Sequence, residues 1–299
     1  MALWYPIPVG VALALGGGGV RGFAHLGVLE VLSKEGIPLL ALSGSSAGAV
    51  AAAAFAFGLK DPGRILEAVF DPEAAALSSQ GRLQSFYRIL SGFRRPSLLS
   101  GERARAGLFQ LFGEARLEES PIPLRIQAAD LFTGEAVVLK EGRVAEAVLA
   151  SSAIPGVFPP VLLNGRLLVD GDVAEKVPVR AVRPFGRVVA VDVSNPPVTA
   201  PPKTALEAAL LAGEASRRRL KELALKEADL VLRLDPPYPI DTFDHTQVEF
   251  VYELGKARAL EALPEIRRLA RPPYTPFCCI LRALRRAVSK NLKDRYNGP

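Results

Sequence analysis

Ser46 is the residue from which a chemistry can be read first. It stands at the centre of "GSSAG", residues 44 to 48, a G-x-S-x-G pattern set between an apolar run that reads as a buried strand and an Ala-rich run that reads as a helix. A serine nucleophile on a sharp strand-to-helix turn needs tiny neighbours, so that the backbone can fold tightly and a substrate can approach. Gly44 and Gly48 supply them, and the helix N-terminus behind Ser46 favours negative charge developing beside it. The same residues would also fit a plain helix start with Ser45 as N-cap. Their place directly after a buried strand favours the nucleophile elbow.

A second glycine cluster lies upstream. "LALGGGGVRG", residues 13 to 22, runs from an apolar strand through Gly16, Gly17, Gly18 and Gly19 to Arg21 and Gly22 before helical spacing resumes. Strand, glycines and helix together point backbone N–H groups at something negative. Gly17, Gly19 and Gly22 satisfy G-x-G-x-x-G, but a dinucleotide site needs a carboxylate near the end of the next strand, and that strand ends Leu42–Ser43–Gly44. A tight turn explains one or two glycines, not four followed by an arginine. A nucleophile at one strand end and a row of donors at its neighbour is the layout of acyl transfer, with the glycine loop as oxyanion hole.

Two routes to activating Ser46 stand open. Only two histidines occur. His25, one turn into the first helix, reads as packed inward or capping. His245 follows a loop near the last helix, and Ser46, then Asp170 or Asp192, then His245 is the chain order of an α/β-hydrolase triad. Such folds place several strands before the nucleophile, however, and here only two precede it. The other route is a carboxylate acting directly: Asp170 closes "RLLVDGD" and is followed by Gly171 and Asp172.

The elements that must position these groups follow from periodicity. Strands are expected at 9–15, 39–44, 123–131 and 135–142, in a hairpin with Asn164–Gly165 at its tip, and at 187–194 and 228–235. Helices are expected at 20–34, 46–59, 143–152, 203–227 and 244–270. Residues 61–120 read as mostly helical, with Phe86, Tyr87, Leu98 and Leu99 either covering an acyl groove or packing as ordinary core. Strands alternating with helices predict a layered α/β fold with a mainly parallel sheet.

"GGGVRG" (17–22), "GSSAG" (44–48), "ASSAIPGVFPPV" (150–161) and "VDGD" (169–172) occur in the order and approximate spacing of the patatin-like phospholipases, and the sequence resembles that family over about residues 9–235. The resemblance implies a three-layer α/β/α sandwich. It also implies a Ser–Asp dyad without histidine, cleaving acyl esters of phospholipids or acylglycerols with no metal or cofactor. By position, Ser46 would be the nucleophile and Asp170 the general base. The N–H groups of Gly17, Gly18 and Gly19 would form the oxyanion hole, and Arg21 would hold that loop or the oxyanion. Two departures stand out: Asp172 occupies a position where the family usually has Gly or Ala, and Ser45 one where Thr is common.

Charge is unevenly placed along the 299 residues. Segment 275–299 holds six basic residues against one acidic, so most of the formal +6 lies there and the rest is nearly neutral. That distribution argues against a nucleic-acid partner. It divides the chain into a hydrolase domain, 1–274, and a basic tail. The tail is read either as an amphipathic segment resting on anionic lipid or as an extension outside the fold. No run is apolar for long enough to span a bilayer, and no basic start precedes the first apolar stretch, so a cytoplasmic protein, peripheral to a membrane through its tail, is expected.

Overall fold

The computed structural model describes residues 9–79, 97–197 and 199–271. The chain divides into two units. Gly10–Ala270 carries everything that follows; the other, Met1–Val9 with Arg271–Pro299, lies outside the described residues except for Val9 and Arg271.

Eight strands form one sheet: β1 (Val11–Leu15), β2 (Leu39–Ser45), β3 (Leu124–Asp130), β4 (Ala136–Leu139), β5 (Val161–Leu163), β6 (Arg166–Asp170), β7 (Val188–Asp192) and β8 (Leu230–Arg233). Their spatial order is β5-β6-β3-β2-β1-β7-β8, with β4 also paired to β3. The five strands β3-β2-β1-β7-β8 run parallel, as the alternation of strands and helices predicts, whereas β4, β6 and β5 join antiparallel at one edge. That antiparallel edge comes from two tight turns. One is Asn164–Gly165, with φ of 50° and 74°, as a two-residue hairpin requires.

The helices are α1 (Phe23–Lys34), α2 (Ala47–Ala56), α3 (Pro62–Val69), α4 (Pro72–Ser79), α5 (Glu102–Phe112), α6 (Val144–Ser151), α7 (Val179–Val182), α8 (Ala205–Leu225) and α9 (Val248–Ala270). Strand alternation sorts them into layers. In β1, Val11, Leu13 and Leu15 point into a core shared with α1, α2, α6 and α9, while Ala12 and Ala14 face a smaller core with α7 and Leu225 of α8. The sheet lies between these two cores, so the fold is the expected three-layer α/β/α sandwich. All five β1 side chains are shut off from water, and each of the larger ones contributes about 1.5–3 kcal/mol by burial.

The first helix begins differently from the periodicity. Gly19–Gly22 form a 3-10 turn, and α-helix starts only at Phe23, because Gly19 takes φ +59° and tightens the entry. Phe86 and Tyr87 lie outside the described residues, as does all of 275–299. Leu99 is buried, its N–H paired to the carbonyl of Val157. Among the described residues no helix is long and apolar enough to cross a membrane.

His25 on α1 is fully buried, as its position one turn into the helix suggests. Its Nε2 lies 2.7 Å from the carbonyl of Gly16, which can only accept, so Nε2–H donates. Burial pushes its pKa down from 6.5 to about 4, against the hydrogen bond to Gly16. A folded value below the unfolded one means that its contribution to stability is complete above pH 6.5 and is lost as pH falls towards 4. The shift corresponds to about 3 kcal/mol. Asp170, whose pKa is raised from 3.8 to about 7, has the opposite slope over the whole of this range, so the contribution of His25 is read as a difference between variant and parent. In denaturant melts at a series of pH values, His25→Gln should gain on the parent chain by about that amount between pH 6.5 and 4. A pH-independent difference would show that His25 is not held neutral.

Candidate active site

β1 and β2 lie side by side and parallel, so their C-terminal ends bring the glycine loop (16–19) and the Ser46 turn together. The order of strands reverses between β1 and β7, so the glycine loop that follows β1 stands at that switch point, the place where open α/β sheets bind ligands. Ser46 has φ 54° and ψ −122° as the cap residue of α2, a conformation costing a non-glycine residue about 1–3 kcal/mol. The surrounding glycines make it possible. A Cβ on Gly48 would sit 2.1 Å from the carbonyl oxygen of Leu15, and one on Gly44 2.2 Å from that of Gly48. The strained serine is pinned from behind: its N–H donates to Ser151 Oγ (2.9 Å), which in turn donates to the carbonyl of Gln127 (2.6 Å).

Strand register brings Asp170 to the same height. Ser45 pairs with Gln127 across β2/β3, and the next residue, Ala128, pairs with Asp170 across β3/β6. Asp170 therefore ends its strand beside the Ser46 turn, although 124 positions separate them. Gly171 lets the two approach, since a Cβ there would lie 2.3 Å from the Gln127 carbonyl and 2.6 Å from Ser45 Oγ. The Ser46 side chain lies near enough to the Asp170 carboxyl to favour its ionised form. Asp170 Oδ1 accepts from the N–H of Asp172 at 2.9 Å. Asp170 is 3% exposed. Burial first, and then the neighbouring Asp172 charge, push its pKa up to about 7, against the Asp172 N–H, the nearby Ser46 side chain and the charge of Lys176.

The glycine loop differs from expectation in one respect. The N–H of Gly17 donates to the carbonyl of Lys176 at 3.0 Å, and that of Gly16 to Val191. Gly17 is thus a structural donor, because the loop must be tied to the turn behind Asp170. Gly18 and Gly19 come before the first hydrogen bond of the 3-10 turn and, among the described residues, have no acceptor for their N–H groups; Val20 donates to Thr242. Arg21 is buried and its guanidinium donates to the carbonyls of Val193 and Ile240. Of the two roles considered for it, the contacts fit holding the loop.

The triad arrangement does not assemble. Asp192 is occupied by Lys221 (2.8 Å) and Arg233 (3.0 Å) and accepts from Ser194. His245 packs edge-on against Phe70 at 4.4 Å; its Nε2 is buried without a partner, and burial lowers its pKa. No hydrogen bond joins it to Ser46 or Asp170 among the described residues.

Ser46 and Gly19 open into a cavity of about 600 Å³, within the usual range for small-molecule sites. Its walls are largely apolar: Phe23 and Leu26 of α1, Val50 of α2, Ile65 of α3 and Leu108 of α5. Leu98 and Leu99 do not line it. Sequence reasoning left Ser151 and Lys176 without roles. Ser151 lies within the quoted "ASSAIPG" segment, but no spacing rule shows that its hydroxyl braces Ser46. The role of Lys176 rests on a backbone carbonyl and has no sequence signal.

A serine on a strand-to-helix turn, beside a glycine loop in a three-layer sandwich, defines the class: α/β proteins built around a serine elbow. Sequence comparison then gives the family. The patatin-like phospholipase family matches residues 13–183, more than half of the chain, and the chain belongs to that family. It is 35% identical over 172 residues to an uncharacterised NTE family protein of Mycobacterium bovis, covering 58% of this chain and 45% of that one. It is 32% identical over 197 residues to the lysophospholipase NTE1 of Cryptococcus neoformans, covering 64% of this chain and 12% of that one. The chain thus spans less than half the length of these relatives. Among solved structures it is similar to VipD from Legionella pneumophila, with a TM-score of 0.51, 15% identity, and coverage of 86% of this chain and 67% of that one; this likeness concerns the fold.

Proposed function

We propose that the chain is a lipid acyl hydrolase that cleaves carboxylic esters of phospholipids or acylglycerols through an acyl-enzyme on Ser46. The observation that carries this reading is the strand register that sets the buried Asp170 carboxyl beside the Ser46 turn at the mouth of an apolar cavity. Asp170 takes the hydroxyl proton as Oγ attacks the ester carbonyl carbon. The oxyanion that forms is held by the N–H groups of Gly18 and Gly19, helped by the N-terminus of α2. Asp170 then gives the proton to the departing alcohol, and water attacks the acyl-enzyme by the same route in reverse. A base titrating near pH 7 suits both halves. Membership of a phospholipase family and the largely apolar cavity walls support a lipid acyl chain as the bound group.

Ser46→Ala should abolish both hydrolysis of medium-chain p-nitrophenyl esters and labelling by a fluorophosphonate. Turnover surviving in Ser46→Ala would sink the reading. A parent chain that is neither labelled nor active would point instead to a lipid-binding protein. A loss in His245→Ala as deep as in Ser46→Ala would restore the triad.

A further inference from the structure

The turn after Asp170 carries a charge pair that the dyad does not require. Lys176 Nζ lies 2.9 Å from Asp172 Oδ2, with both side chains mostly buried, and Arg217 of α8, itself paired with Glu214, reaches the same oxygen at 4.0 Å. The other oxygen, Asp172 Oδ1, is buried with no hydrogen-bond partner among the described residues. Half of this carboxylate is therefore bound to cations, and half is left bare in a place closed to water, one residue beyond Gly171. The backbone of the same turn acts in two directions. The Asp172 N–H holds Asp170 Oδ1, and the Lys176 carbonyl holds the N–H of Gly17. Gln127 Nε2 ties the turn to β3 through the Glu175 carbonyl at 2.7 Å. One five-residue segment thus connects the carboxyl proposed as base to the loop proposed to hold the oxyanion.

We infer that Asp172 and Lys176 act as a paired positioning element: their ion pair locks the turn that sets Asp170 and the glycine loop relative to each other, and their opposite charges balance one another at the Asp170 carboxyl. This rests on the Ser46–Asp170 reading and extends it to two residues that touch no reacting atom. Asp172 and Lys176 act on Asp170 from its own turn; around that turn stand Arg217 with Glu214 from α8 and, across the loop, the buried Arg21, which feels Asp241, Glu214, Asp172 and Asp192. Asp172 disfavours a second negative charge beside it, and Lys176 favours one. Deleting either partner alone should therefore move the ionisation of Asp170, in opposite directions. Deleting both should largely restore it.

The test is the rate of Ser46 labelling by a fluorophosphonate from pH 4 to 10. It compares the full chain, Asp172→Asn, Lys176→Met, the double variant and Lys176→Arg, with Ser46→Ala as the blank. Labelling needs the ionised base, so the rate should rise with pH to a plateau. Asp172→Asn, nearly isosteric, should move the midpoint about one pH unit lower, and Lys176→Met about one unit higher. The double variant should fall between them, and Lys176→Arg should keep the parent midpoint. A brace without electrostatic effect would lower the plateau and leave the midpoints alone. Coincident midpoints, or single variants that shift the same way, overturn the inference while leaving the dyad standing. No Ser46-dependent labelling in the parent overturns both.

Discussion

Asp170→Asn should lower kcat/KM by at least about 10³-fold, in the upper part of the range for loss of a general acid–base group, while the protein stays folded. Asparagine has nearly the same shape and can still accept the Asp172 N–H, so the strand end and the turn should survive. What disappears is a group able to take the Ser46 proton. Stability should move the opposite way to activity. The folded Asp170 pKa, about 7, lies above the ordinary 3.8, so the folded chain binds this proton more tightly than the unfolded one. Asp170 is therefore least costly to the fold below pH 3.8, and its cost grows as pH rises to 7. Above pH 7 the Asn variant, freed of a buried charge beside Asp172, should melt at a temperature equal to or higher than the parent. Turnover with stopped assays and thermal melts at pH 8, on the same preparations, read both. An active Asp170→Asn protein would remove Asp170 as base. An inactive protein with a sharply lowered melting temperature would leave a structural role for it instead.

Gly19→Ala should cost about 10²–10³-fold in kcat with little change in KM, the signature of losing an oxyanion donor. Gly19 sits at φ +59°, and a Cβ there would meet the Thr242 carbonyl oxygen at 2.4 Å, so the loop must move away from the 242 segment. Moving it displaces the Gly18 and Gly19 N–H groups, which have no other acceptor among the described residues. Gly36 provides the control. It has nearly the same φ, +63°, but open space around its Cβ position. Gly36→Ala should show the backbone cost of a left-handed alanine, about 1–2 kcal/mol, with unchanged kinetics. Equal kinetic losses in the two variants would mean that Gly19 matters for general stability and not for the oxyanion.

Much of this arrangement could be read along the chain. The G-x-S-x-G turn, the glycine run, the strand ending at Asp170 and the layered α/β class all follow from local patterns: small residues where the backbone bends sharply, apolar runs of strand length, and helical spacing between them. These signals are local because steric freedom and periodicity act over a few residues. The choice between Asp170 and His245 as the partner of Ser46 is open from the residues alone and leans on family resemblance. In the fold, strand register brings Asp170 level with the Ser46 turn, Ser45 beside Gln127 and Ala128 beside Asp170, while Asp192 is held by Lys221 and Arg233; this supports the Asp170 reading proposed above. The sequence likewise offered Gly17, Gly18 and Gly19 as equal donors. Only the folded chain distinguishes them, because the acceptor that takes Gly17 is a carbonyl 159 positions away. Which groups have the backbone freedom to do chemistry is determined by residue type. Which of them remain unpaired to do it is decided by contacts between distant segments, since every buried donor is claimed by whatever acceptor the packing brings within reach.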